Sequence, residues 1–164
     1  QDSSSAASDV YKRQEIMDPI GASSSWNWYG YEKSKILLNG EIFGSVSGGG
    51  HFGGGLFINS LDHARFGLLF LRNGKWKNEL LLSSEWIKLV QQPSKNNESY
   101  GYMWWLNKGE RKWRGLSENI YYGAGFGGNF IVIIPDQNLV VVARWIDSSK
   151  IGEFIEMVVK SAIG

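Results

Sequence analysis

Two near-continuous apolar runs dominate the second half of the chain, Phe130–Ile134 and Leu139–Trp145, joined by Pro135-Asp136-Gln137-Asn138. Short runs rich in β-branched residues predict strands, and the linker between them predicts a turn. Neither run alternates, so the sheet is expected to be covered on both faces. After them Ile151, Phe154, Ile155, Val158, Val159 and Ala162 recur at helical spacing, and that helix should pack on the sheet. Earlier, Leu61, Ala64, Leu68 and Leu71 form a second helical stripe. Phe66, Leu69 and Phe70 make that helix apolar nearly all round, so burial is expected, with Ser60 as its cap and Asn73-Gly74 as its stop. Ser83 should cap a further helix over Ser84–Gln92, which Pro93 ends. Tyr100–Leu106, YGYMWWL, reads as an aromatic strand, and Lys108–Glu118 as a polar surface loop. Upstream, Asn39-Gly40 within Ile36–Phe43 signals a hairpin, and Pro19 and Gly21 mark a turn. Helices, then antiparallel strands, then a helix make an α+β fold, an antiparallel sheet flanked by helices. No internal repeat is visible.

Glycine interrupts this pattern twice. Ser45–Phe57, SVSGGGHFGGGLF, holds six glycines around His51-Phe52. Such a stretch is either a mobile loop or a wall where backbone closely approaches a ligand, because each glycine gives up much entropy on ordering and packs nothing. The predicted hairpin before it and helix after it favour the cleft wall, lined by His51, Phe52 and Gly53. Tyr122–Asn129, YGAGFGGN, leads straight into a strand. Its glycines either present backbone N–H groups to a ligand or mark a bulge or tight strand entry.

Composition narrows the function. The 164 residues suffice for one domain with a core, and 23 aromatics (8 Trp, 7 Tyr, 8 Phe) suit both a core and a ligand site. A net charge of +1 without a basic run argues against nucleic acid. The absence of cysteine removes thiol catalysis, and two histidines without metal-ligand spacing predict no metal site. No apolar run has the ~20 residues that span a bilayer. No Ser precedes a Lys by three positions, no Tyr precedes Asn or Ser by two, and neither K-T-G nor G-x-S-x-G is present. His63, in the first turn of a predicted helix, is expected to lie on the surface or serve packing rather than catalysis. His51 fits a structural, cleft-lining role better than a catalytic one, since no orienting carboxylate or nucleophile accompanies it in sequence.

The first 14 residues are Ser/Ala-rich and without period; Asp9–Gln14, DVYKRQ, is similar to the translation of a sequencing-library adapter. The expectation is an artefact or a disordered leader over 1–14, and the C-terminal portion of one domain over 15–164.

PIGASSSWNWYGY, SVSGGGHFGGGLFINSLDHARFGLLFLRNGKW, LLSSEWI, YGYMWWLN and YGAGFGGNFIVIIPDQNLVVVARW, in that order, resemble the serine beta-lactamase-like hydrolases. These include class C beta-lactamases, DD-peptidases, esterases and 6-aminohexanoate-dimer hydrolases. The resemblance implies a beta-lactamase/transpeptidase-like fold, truncated on its N-terminal side. It implies acyl transfer on a small-molecule ester, amide or lactam, without a cofactor, in a bacterial periplasmic or secreted protein. The family's S-x-x-K and Y-x-N motifs lie upstream of the turn that Pro19-Ile20-Gly21 resembles, so this portion by itself should be inactive. Gly123-Ala124-Gly125 resembles the third motif, K-T-G or H-x-G, with Gly123 where Lys or His stands. The residue after it, Phe126, is thereby implied as a backbone N–H donor of the oxyanion hole. Gly123, Gly125 and Gly127 are implied at the substrate, and Trp26 and Trp28 are expected to shape its pocket. Two alternatives stay open: a non-catalytic module binding glycan through its aromatics, and an inactive homologue used for protein interaction.

Overall fold

A computed structural model describes residues 13–28, 35–44 and 56–163. The chain divides into two compact units, the first ending at Asp62 and the second beginning at His63.

The first unit starts with a π-helical turn, Arg13–Met17, followed by the expected turn around Pro19, with Met17 and Ile20 buried. Strand β1 (Asn27–Trp28) pairs antiparallel with β4 (Leu56–Phe57). Strands β2 (Lys35–Leu38) and β3 (Glu41–Gly44) form the hairpin expected around Asn39-Gly40. Both turn residues have positive φ, 53° and 84°, which is what a two-residue hairpin turn of the right twist demands. Trp26 is buried rather than open to a pocket, so its indole is a packing group here.

Helix α1 (Ser60–Leu71) begins one residue before the expectation, and its cap is Asn59, not Ser60. The Asn59 Oδ1 accepts the Asp62 backbone N–H at 2.9 Å, and the Asn59 amide returns a bond to the Asp62 carboxylate at 2.6 Å. Asp62 also accepts from the Ser23 backbone N–H at 3.0 Å and from its hydroxyl at 2.5 Å, which ties the loop after the first turn to the helix start. The stripe through Leu61 is not the buried face at its first turn, where Leu61 is 71% exposed. Farther along the helix Leu69 and Phe70 are the buried hydrophobic residues, so the apolar face is rotated relative to the stripe.

The second unit is built on an antiparallel sheet of order β10-β9-β8-β7, formed by β7 (Trp105–Leu106), β8 (Tyr121–Gly125), β9 (Asn129–Ile134) and β10 (Leu139–Ala143). A small hairpin, β5 (Lys75–Trp76) and β6 (Glu79–Leu80), precedes helix α2 (Ser84–Val90). That helix is capped as expected, its Trp86 N–H donating to the Ser83 hydroxyl at 3.1 Å, and it ends two residues before the expected Gln92. Helix α3 (Ile151–Ile163) closes the chain.

Both faces of the sheet are covered, as the unbroken apolar runs require. Phe130, Val132 and Ile134 of β9 join Tyr122, Ala143, Ile151 and Ile155 in one cluster, on the α3 side. The alternate residues Ile131 and Ile133 join Tyr121, Phe70, Ile87 and Val90 in the other, on the side of α1 and α2. Period-two alternation sends successive β9 side chains to opposite cores. Full burial of one such aliphatic side chain contributes about 1.5–3 kcal/mol. Helix α1 sits close to the sheet at Gly67, where a Cβ would stand 2.6 Å from Val140 Cγ1 and 2.9 Å from Ile131 Cδ1.

YGYMWWL is not one strand. Gly101 N–H donates to the Trp104 carbonyl at 2.9 Å, and Met103 has a φ of 62°. The segment therefore folds back on itself, leaving only Trp105 and Leu106 in the sheet. Trp104 is drawn into the core between Phe70 and Tyr121, with ring centroids 4.7 and 5.2 Å away. The aromatic burial offsets the cost of the left-handed residue.

Candidate functional site

The second glycine-rich stretch forms a regular hairpin. Strand β8 pairs with β9 in unbroken register from Tyr121↔Ile133 to Gly125↔Asn129, leaving Phe126-Gly127-Gly128 as a three-residue turn. No bulge interrupts the register from Tyr121 to Gly125, and Gly127 and Gly128 form the tight entry to β9. Gly123 and Gly125 lie in β8, Phe126 opens the turn, and Gly127 follows with a φ of 78°. One hairpin thus brings four of the sequence-derived site residues together. Phe126 is 100% exposed, and its carbonyl accepts from the Asn129 side-chain amide at 2.7 Å, which fixes the turn. His51, Phe52 and Gly53 lie outside the described residues.

The edge of β8 is the chemically distinctive feature. β7 pairs only with Tyr121 and Tyr122, so among the described residues Gly123, Ala124 and Gly125 have no strand partner on the side away from β9. A glycine-rich strand edge with free backbone groups can hydrogen-bond an extended ligand, and its N–H groups can meet an oxyanion.

A cleft of about 400 Å³ opens beside this edge, lined by Trp105, Trp113, Tyr122, Ala124, Gly125 and Ser148, among others. Trp113 lies within the 108–118 stretch whose polar residues predict only a surface loop. It stacks on Tyr122 at 4.4 Å between centroids and an interplanar angle of 23°. The residue that seats it is Asn107, wholly buried at the end of β7. Its Oδ1 accepts the Trp113 backbone N–H, and its amide donates to the Ser117 carbonyl at 2.8 Å and the Leu116 carbonyl at 3.4 Å. Asp136, in the turn after β9, holds the far end of the loop by accepting from the Ser117 hydroxyl and the Asn119 amide, bonds that keep its carboxyl below the usual carboxylate range. A lone Asn among polar neighbours carries no sequence signal of this burial. No group of three or more His, Asp or Glu able to hold a metal occurs among the described residues.

His63 is partly buried, between the surface and packing positions that the sequence left open. Its Nδ1 lies 3.2 Å from Arg144 Nη2. Guanidinium only donates, so the imidazole accepts there and is neutral. Burial first, and the Arg144 charge second, lower its pKa from 6.5 to about 4. The unfolded chain takes up this proton below pH 6.5, while the folded chain resists it until about pH 4. Stability from this group is therefore complete above pH 6.5 and declines as pH falls toward 4, by roughly 2–3 kcal/mol. Urea unfolding of wild type and His63→Gln at pH 7 and pH 4.5 should show the extra acid sensitivity only in wild type; equal slopes would contradict it.

No protein-family model matches the sequence, and no curated protein matches it. Solved structures do match the fold. A protein assigned as a 6-aminohexanoate-dimer hydrolase from Bacillus anthracis aligns with a TM-score of 0.51 and 23% identity, over 67% of this chain and 30% of its own. An octameric penicillin-binding protein homologue from Pyrococcus abyssi aligns at 0.59 and 18%, over 93% of this chain and 37% of its own. A protein assigned as a beta-lactamase from Bacteroides dorei aligns at 0.56 and 16%, over 93% and 50%. The chain has the beta-lactamase/transpeptidase-like fold, and the sequence resemblance to serine beta-lactamase-like hydrolases is borne out at that level. It spans between 30% and 50% of the length of these structures. No helix among the described residues is long and apolar enough to cross a membrane.

Proposed function

We propose that this chain is the C-terminal portion of a serine hydrolase that acts by acyl transfer on an ester, amide or lactam. The observation that carries the reading is the open Gly123–Gly125 edge ending in the exposed Phe126 turn, within a beta-lactamase/transpeptidase-like fold. In this reading a serine activated by a lysine, both upstream, attacks the substrate carbonyl. The Phe126 N–H donates to the oxygen as it becomes an oxyanion, a contribution of about 3 kcal/mol to the barrier for one such donor. In this reading Gly123, Gly125 and Gly127 leave room for substrate along the strand edge, and His51, Phe52 and Gly53 also contact substrate. The aromatic cleft at Ala124 and Gly125 receives an uncharged part of the substrate, since none of its lining side chains carries a charge.

The test is turnover of a chromogenic ester and a chromogenic cephalosporin by the full-length protein and by residues 15–164 alone. The full-length protein should hydrolyse at least one of them and the shorter chain neither. Serine-dependent turnover by residues 15–164 would refute the division of labour. A non-catalytic, ring-binding module is the second reading, favoured by the exposed aromatics Tyr102, Phe126 and Trp145. Saturable glycan binding by a full-length protein that turns over neither substrate would select it.

A further inference from the structure

Trp145, two residues past the end of β10, adopts the left-handed region at φ 56°. A bulky L-residue is strained there, where Asn or Gly is at ease. Burial does not repay the strain, because the side chain is 79% exposed. What the conformation secures is a position. The indole lies against Gly127, where a Cβ would come within 2.7 Å of its Cζ3. The next residue, Ile146, donates its N–H to the Gly128 carbonyl at 3.1 Å, so the chain is pinned over the Phe126–Gly128 turn immediately after the ring contact. Phe126, adjoining Gly127, holds its own side chain in solvent. Strain retained at an exposed aromatic, against the turn that carries Phe126, marks a residue kept for where its ring stands rather than for burial.

We propose that Trp145, with Phe126, is a specificity-determining platform that receives an apolar ring or chain attached next to the scissile carbonyl of the substrate. The proposal rests on the hydrolase reading, in which the Phe126 N–H meets that carbonyl's oxygen. A substrate bearing such a group gains aromatic packing on the indole that an acetyl ester of a small alcohol cannot. Trp145 acts by positioning and takes no part in bond making.

The experiment uses the full-length protein and two ester series. One varies the acyl part, p-nitrophenyl acetate against p-nitrophenyl phenylacetate; the other varies the leaving group, methyl acetate against naphthyl acetate. Trp145→Asn suits the left-handed backbone and removes the ring, and Trp145→Phe keeps a ring. The Asn variant should lose about tenfold in the kcat/KM preference for the ring-bearing ester in one series, with Tm not lowered, and the Phe variant should recover most of it. The series that responds locates the group on the acyl or the leaving side. Unchanged preferences in both series, or a lowered Tm with unchanged preferences, make Trp145 a structural residue and overturn the inference alone. A wild type that turns over no ester and forms no adduct with a fluorophosphonate overturns the inference together with the hydrolase reading.

Discussion

Gly128→Ala should destabilise the full-length protein by about 3 kcal/mol or more and abolish ester turnover, because two independent penalties fall on one methyl group. Gly128 has a φ of 77°, a conformation that strains any residue with a Cβ. The Cβ itself would stand 1.8 Å from the Ile146 carbonyl oxygen. That neighbour is backbone, so no rotamer change relieves the clash. The segment after β10 must lift away, breaking the Ile146 N–H bond to Gly128 and withdrawing Trp145 from Gly127. The turn carrying Phe126 then loses its support. Urea denaturation gives the stability loss and a chromogenic ester the activity loss. A variant as stable as wild type would show that the crossing over this turn is not tight.

The second large effect is expected at Asn107. Replacement by Ala removes one acceptor and two donors from a fully buried position, leaving the Trp113 N–H and the Leu116 and Ser117 carbonyls to find other partners. Buried groups left unpaired cost about 1–3 kcal/mol each, and water entering the loop offsets part of this. A net loss of about 3 kcal/mol is expected, together with release of the loop that seats Trp113 on Tyr122. Trypsin should then cut faster after Lys108, Lys112 or Arg114 than in wild type. Unchanged cleavage with lowered stability would mean that Asn107 supports the strand end and not the loop. Asn107→Asp is a useful companion, since it keeps the acceptor but sets a buried carboxylate oxygen against the Leu116 and Ser117 carbonyls, and at pH 7 it should destabilise at least as much as Ala.

What could be read from sequence follows from where the physics is local. The two apolar runs announced β9 and β10 because a strand covered on both faces needs no alternation. Asn39-Gly40 and Ser83 act within a few residues, so the hairpin and the α2 cap were legible. The missed features depend on distant partners. YGYMWWL has strand propensity, yet Trp104 finds its place between Phe70 and Tyr121, and that placement bends the backbone at Met103. Ser60 and Asn59 are both good caps, and the bond to Asp62 with Ser23 behind it decides for Asn59. Leu61 matched a helical stripe, but the face that meets the sheet is set by the close approach at Gly67. Asn107 and Trp145 carry no local signature at all, the first because its burial is tertiary, the second because the glycine its ring lies against, Gly127, is distant in sequence. The glycine pattern drew attention to the stretch that forms the Gly123–Gly125 edge and the turn after it, while the aromatic cleft beside it emerged only from the folded loop.

The central claim, that this chain supplies the oxyanion edge of a serine acyl-transfer enzyme, meets its most direct test in the intact mass of the full-length protein after reaction with a fluorophosphonate. The account predicts a single adduct, mapped by peptide digestion to a serine of an S-x-x-K sequence upstream of Glu15. A full-length protein that is folded and remains unmodified, or one modified at a serine within residues 15–164, would contradict it.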